Sequence, residues 1–227
     1  MASQESHSVR SQAIEDYAKA IYALQLREGE AVSTNALAGR LGVTPASASG
    51  MVKRLDELGL VEHQPYRGVS LTDDGRRVAL EVMRHHRLLE LYLVQSLGVP
   101  WDRVHKEAEV LEHVLSEELE ELIAAKLGDP THDPHGDPIP TRELTIVEGS
   151  TQSLQSLEVG AQGTFTRVSD SDPEMLRFLA ERGIAPGDRL EVVDKQPFDG
   201  PLFVRFGDHV HVLGGELARA MRVEVER

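Results

Sequence analysis

The chain has 227 residues, 40% of them hydrophobic and 27% charged. That is the composition of two or three folded units, which excludes disordered and collagen-like readings. Its formal net charge is −14 and it has no cysteine, so disulfide scaffolds, thiolate zinc sites and cysteine nucleophiles are excluded, and any metal is held by nitrogen and oxygen.

Residues 13–26 repeat apolar side chains at three- and four-residue steps (Ile14, Tyr17, Ala18, Ile21, Tyr22, Leu24), which predicts an amphipathic helix ended by Gly29. Ser33 or Thr34 caps a short helix through Leu41. Thr44-Pro45 opens a third helix, a capping residue followed by proline, with Val52, Leu55 and Leu58 facing inward. Residues 60–63 and 68–71 read as short strands joined by a turn containing Pro65 and Gly68. Helices joined by a tight turn and followed by a hairpin make a winged helix-turn-helix.

A long helix is predicted from Thr72 to about Leu97, a second over 101–115 and a third over 116–127, followed by a Pro/Gly/Asp-rich loop to Pro140. Three helices without a sheet make a poor core for a monomer, so dimerisation through them is expected. Alternating segments at 163–168, 189–193, 202–206, 209–213 and 221–225, with a helix over 173–182, read as a small SH3-like barrel. The fold class is therefore multidomain, mainly α with a small β part. It comprises a winged helix-turn-helix (1–72), a helical metal-binding and dimerisation domain (73–140), a linker (141–160) and an SH3-like domain (161–227).

Charge is spread unevenly: residues 1–77 carry a net −1, 78–140 a net −8 with 6 of the 10 histidines, and 141–227 a net −5. A near-neutral first segment can still present a basic face, whereas the middle one has the composition of a cation site. On one helix, His105, Glu109, Glu112 and His113 fall within an arc of about 100°. That stripe reads equally as a metal site or as a solvated acidic face. His86 and Glu90, one turn apart, suit one ion and are also an ordinary surface pair. Asp16 alone carries no signal, and Asp133-Pro-His135 reads as a solvated loop before it reads as ligands. Glu117, Glu118, Glu120 and Glu121 go round their helix and are solvated, and His209 and His211 are surface residues of a strand. Phosphate loops and the common hydrolase motifs are missing.

For DNA, the third helix offers Thr44, Ser47, Ser49 and Gly50 for close approach, and Lys53 and Arg54 for phosphates. Arg67 at the hairpin tip and Arg40, with Arg76 and Arg77, add phosphate contacts. No run reaches the roughly 18 apolar residues of a membrane span, and residues 1–10 lack the apolar stretch of a secretory signal. A cytoplasmic protein with no membrane partner is expected.

Glu15-Asp16-Tyr17, Arg84-His85-His86-Arg87-Leu88-Leu89-Glu90, the 105–113 segment and Asp133-Pro-His135-Gly-Asp-Pro-Ile-Pro140 occur in order along the chain. In these motifs it resembles the diphtheria toxin repressor family of metal-dependent regulators over nearly its whole length, in particular the three-domain actinobacterial manganese transport regulators. The resemblance implies a principal metal site of Asp16, His86, Glu109, Glu112 and His113. It implies a second one of Glu90, His105, Asp133 and His135, to which a FeoA-like barrel adds Asp170 or Asp172. The family's iron branch has Met and Cys where this chain has Asp16 and Glu109, as the manganese branch has, and carboxylates favour a hard ion. Mn²⁺ is thus the expected corepressor, with Fe²⁺ possible and Zn²⁺ or Co²⁺ as substitutes in vitro. Lys19 stands where two-domain manganese regulators have another acidic ligand, which tells against copying their binuclear arrangement. The expected protein is a homodimeric, metal-activated repressor of metal-uptake genes that binds a palindromic double-stranded operator, not an enzyme. The rivals are a metalloenzyme using the His/Glu cluster and a peptide-docking module using the barrel.

Overall fold

The computed structural model describes residues 11–29, 31–64 and 67–226. It divides into two compact units, and the division falls inside one long helix, between His85 and His86. The first unit takes the described residues up to His85 together with Glu112–Leu115 and Pro140–Thr145, and the second takes the rest.

In the first unit, α1 (Gln12–Glu28), α2 (Thr34–Leu41) and α3 (Pro45–Glu57) are followed by the antiparallel hairpin β1 (Val61–Gln64) and β2 (Gly68–Leu71). Val32 adds a bridge to Val69. The winged helix-turn-helix is therefore as expected; Pro65, placed in the hairpin turn, lies outside the described residues. The start of α3 is fixed locally, because Thr44 Oγ1 accepts from the Ser47 amide at 3.2 Å and Pro45 needs no hydrogen-bond acceptor for its nitrogen. Ile21, Leu24, Val32, Leu37, Ala48, Val52, Leu55, Val61 and Val69 make one buried cluster, so α1, α2, α3 and the wing share a core. Leu58, expected inside, is 53% exposed because it lies just beyond the last turn of α3. The early part of α4 (Asp73–Leu97) belongs here too. His85 Nδ1 meets the Glu112 carbonyl at 3.1 Å and Arg84 donates to the Pro140 carbonyl at 2.7 Å, which moors both short segments.

The second unit holds the later part of α4, α5 (Val104–Leu111), α6 (Glu117–Lys126) and the barrel. The barrel comprises β3 (Gln152–Ser153), β4 (Gln162–Val168), α7 (Pro173–Ala180), β5 (Arg189–Lys195), β6 (Leu202–Phe206), β7 (His209–Leu213), α8 (Gly215–Ala220) and β8 (Met221–Val225). Its antiparallel sheet has the order β3-β8-β4-β5-β6-β7 around a core led by Phe165, Leu176, Leu202, Leu213 and Met221. The expected linker over 141–160 contains part of this domain: β3 pairs with β8, and Leu154 and Leu157 are buried in its core. The loop before the barrel is anchored to it. Val168 donates to the His135 carbonyl at 2.9 Å, and a Cβ on Gly136 would sit 1.8 Å from the Thr166 carbonyl oxygen, so only glycine fits.

The helix expected over 101–115 is shorter at both ends. Pro100 accepts from the amides of Arg103 and Val104 in a turn that precedes α5. The helix stops at Leu111, so Glu112 and His113 leave the stripe that the periodicity gave them. The apolar rhythm runs on past Leu111 without a Gly or Pro, and tertiary contacts such as that of the Glu112 carbonyl with His85 overrule it. No helix among the described residues is long and apolar enough to cross a membrane.

Candidate metal centres

The candidate ligands form two sets. In the first unit, Asp16 on α1 comes together with Glu112 and His113 of the turn after α5, their donor atoms within 4.8 Å of one another. His113 Nδ1 lies 2.6 Å from Glu15 Oε2, so this nitrogen carries a proton and donates it to the carboxylate. That fixes the ring and aims Nε2 at the group. Nε2 is 3.0 Å from Asp16 Oδ1 and 3.5 Å from Glu112 Oε1, buried, and makes no hydrogen bond. A buried imidazole nitrogen that makes no hydrogen bond and faces two carboxylates is a donor set that could hold a cation. Lys19 Nζ also grips Glu112, at 2.9 Å from Oε1 and 2.8 Å from Oε2.

In the second unit, His86 and Glu90 of α4, His105 of α5 and Asp170 just past β4 bring four donors together, and Glu90 also joins Asp133 and His135. His86 Nε2 is 3.0 Å from Glu90 Oε1 and 3.1 Å from His105 Nδ1. His105 Nδ1 is 3.0 Å from Asp170 Oδ2. Glu109 stands at the edge, 3.7 Å from His105 Nε2 and 3.9 Å from His86 Nδ1. His135 donates through Nε2 to the Trp101 carbonyl at 2.8 Å, which turns Nδ1 toward Glu90 Oε2 at 3.6 Å. Asp133 spends Oδ1 on the amides of His135 and Asp137 (2.8 and 2.9 Å), and Arg87 lies 3.8 Å from its Oδ2.

The electrostatics follow from burial and pairing. Burial works against a charged Glu90, but hydrogen bonds from His105 and His86 and the nearby His135 outweigh it and hold its carboxyl well below the usual range. Asp170 balances in the same way, lowered by His105 against its burial. Hydrogen bonds to Asp170 and then Glu90 raise His105 to about 10. For His135, Glu90 overcomes burial and lifts it to about 9. Burial, with Asp137 and Glu90 nearby, pushes Asp133 up to about 8. Without a cation, protons hold this cluster of acids and imidazoles together.

Asp172 does not join either set: its side chain accepts from the Glu174 amide at 2.8 Å and caps α7, leaving Asp170 as the barrel's contribution. Glu15, Arg87 and Asp137 are participants that sequence reasoning did not single out, and Lys19, noted there only as replacing an acidic ligand, is found paired with Glu112. The motif Glu15-Asp16-Tyr17 contained the signal for Glu15.

The expected DNA residues lie on one element and its surroundings. Thr44, Ser47, Ser49, Gly50, Lys53 and Arg54 are exposed along α3, with Ala48, Val52 and Leu55 turned inward. Ser49 Oγ bonds back to the Pro45 carbonyl at 2.9 Å and Lys53 pairs loosely with Glu57 at 3.8 Å. Nothing stands within 4 Å of a Cβ built on Gly50. Arg40 and Arg67 are exposed on α2 and in the wing turn.

A winged helix-turn-helix, clustered imidazoles and carboxylates, and a small barrel in one chain are the build of a metal-responsive DNA-binding regulator. The chain belongs to the iron-dependent repressor family, also known through the diphtheria toxin repressor. Residues 11–69 match "Iron dependent repressor, N-terminal DNA binding domain", 72–141 match "Iron dependent repressor, metal binding and dimerisation domain", and 152–225 match "FeoA domain". The iron-dependent repressor IdeR of Mycobacterium tuberculosis is 33% identical, over 92% of this chain and 96% of its own length. The diphtheria toxin repressor of Corynebacterium diphtheriae is 29% identical over the same shares. A solved manganese-dependent transcriptional repressor in complex with manganese is 43% identical with a TM-score of 0.86, covering 94% of this chain and all of that one.

Proposed function

We propose that this chain is a metal-dependent transcriptional repressor, with Mn²⁺ as its corepressor, that binds a palindromic operator as a homodimer and controls metal-uptake genes. The observation that carries the proposal is the convergence of Asp16, Glu112 and the buried Nε2 of His113, which makes no hydrogen bond, in the unit that also carries the helix α3. A bound divalent cation supplies positive charge and fixed coordination at that point. Asp16 lies on α1, which packs with α2 and α3 in one core, so holding Asp16 against Glu112 and His113 holds the reader. Without the cation Lys19 still ties α1 to Glu112, but Asp16 is not drawn to Glu112 and His113 and their carboxylates repel, so the reader is held less firmly.

The metal preference follows from the donors. Imidazole nitrogens and carboxylate oxygens with no sulfur favour Mn²⁺, accept Fe²⁺, and bind Zn²⁺ or Co²⁺ in vitro. The manganese-bound relative supports Mn²⁺ as an ion such a donor set takes. Among second-unit residues, Val110 and Leu122 are 68% and 61% exposed, and Leu111 and Leu119 are exposed beside them in sequence. Such apolar exposure favours a partner copy, and a two-fold dimer reads two half-sites about one helical turn or a multiple apart. Action on operator DNA makes this a cytoplasmic regulator, not an enzyme.

The test is operator binding by the full chain at fixed salt, with Mn²⁺ or with chelator. Mn²⁺ is expected to tighten binding by about two orders of magnitude, within the usual range of coupling. Asp16→Ala should remove most of that gain while its melting temperature without metal stays near that of the parent. Equal operator affinity in Mn²⁺ and in chelator for the unaltered chain would end the proposal.

A further inference from the structure

We propose that Lys19 is a tethered counter-cation that competes for Glu112 and so sets the concentration at which the Asp16–Glu112–His113 group takes up a divalent ion. This rests on reading that group as a cation site. Lys19 sits on α1 one turn beyond Asp16, and its ammonium lies within 2.9 Å of both oxygens of Glu112. The Glu112 side chain has no exposure and that of Lys19 has 20%. This is not the loose surface pair that contributes little. The Glu112 side chain is not exposed to water, so a nearby positive charge such as Lys19 matters more to it than it would at the surface.

Oε1 of Glu112 is shared. It accepts from Lys19 and also lies 3.5 Å from His113 Nε2, on the side where Asp16 converges. An ion held there shares its carboxylate with an ammonium, and two positive charges so close oppose each other strongly where water is scarce. The opposition depends on charge, not on electronic configuration. Lys19 therefore weakens all divalent ions by a similar factor and leaves the choice among them to the donor atoms. Lys19 is in this sense a threshold-setting residue: it holds the ion-free group together and raises the free ion concentration needed to displace it.

The experiment is calorimetric titration of the full chain with MnCl₂ and CoCl₂, made throughout on a His105→Ala background so that the second-unit group does not contribute. Lys19→Gln and Lys19→Met remove the charge and should lower Kd by about tenfold for both ions alike. Lys19→Arg keeps the charge and should leave Kd within about twofold. Unchanged or weaker Mn²⁺ binding in both neutral variants, with the circular dichroism of the parent, overturns the proposal. Tightening confined to one metal does so too. If a neutral variant is too marginally folded without metal for titration, the Mn²⁺-induced rise in its Tm is read instead. A larger rise than in the parent supports competition, and an equal or smaller one defeats it. His113→Ala separates the two levels. Undiminished Mn²⁺ binding in that variant removes the cation-site reading itself, whereas its loss beside an unaltered Kd in Lys19→Gln removes only the role of Lys19.

Discussion

His105 and His135 give the second-unit group a pH dependence whose sign is fixed by their partners. Both are raised above the ordinary 6.5, to about 10 and about 9. A histidine raised by folding contributes stability that is complete below about pH 6.5 and is lost as pH rises through its folded value. Asp133, raised to about 8 from 3.8, acts in the same direction, because the folded chain holds its proton where the unfolded chain has lost it. The expected outcome is that the Tm of the metal-free protein falls between pH 7 and pH 10, read by differential scanning calorimetry. Ligating a cation requires His105 and His135 to give up those protons, so Mn²⁺ should oppose the fall and binding at pH 7 should release protons. Identical heats of Mn²⁺ binding in buffers of different ionisation enthalpy would contradict this. Little of this balance was legible in the sequence. His86 and Glu90 showed themselves as a one-turn pair, but Asp170 is 65 positions beyond His105 and only the resemblance connected them. Glu15 and Lys19 meet partners 98 and 93 positions away, and no spacing rule spans such separations.

At the level of elements, local chemistry explains what the sequence made visible and tertiary contacts explain the rest. The cap Thr44 with Pro45 defined the start of α3, and short runs rich in alternating apolar residues defined β6 and β7. Where the chain offered rhythm without punctuation, at Glu112-His113, the helix was read too long. Between the strands expected at 209–213 and 221–225 no element was assigned, and the chain there folds into the short α8. The reading helix also contains a local conflict. Gly50 lies in mid-helix, where glycine costs roughly 0.5–1 kcal/mol relative to alanine, yet nothing within 4 Å of its missing Cβ demands it. Its backbone is not left-handed, so strain does not explain it either. Close approach of α3 to DNA, as proposed, would explain it. Gly50→Leu is therefore expected to act in opposite directions on two measurements. Unfolding stability should rise by up to about 1 kcal/mol, while operator affinity in Mn²⁺ falls at least tenfold as the side chain holds the helix away from the groove. A stabilised variant with full operator affinity would place α3 away from the base edges.

Across the whole molecule the question is how a chain of net charge −14 binds a polyanion at all. The negative charge is concentrated after residue 77, in the segments that carry the second-unit group and the barrel, while the reader is close to neutral. Long-range repulsion is screened within about 8–10 Å at physiological salt, so the exposed Lys53, Arg54, Arg40 and Arg67 act locally and the remaining charge matters mainly at low salt. Electrostatic attraction from the reader alone is thus modest, and operator affinity must come from ordering the reader, which is the role given to Asp16, Glu112 and His113. If ordering is the link, it is reciprocal. Whatever factor Mn²⁺ contributes to operator binding, the operator must contribute to Mn²⁺ binding. With a coupling of about one hundredfold, or roughly 2.7 kcal/mol, the Mn²⁺ Kd of the Asp16 group should fall from its DNA-free value by the same hundredfold when saturating operator is present. Non-specific DNA at the same phosphate concentration should lower it much less, since only the operator holds α3 in its docked position. Mn²⁺ titrations followed by electron paramagnetic resonance, with operator, with scrambled DNA and without DNA, measure the three values. Equal Kd in all three would mean that cation binding and reading are independent events in this chain.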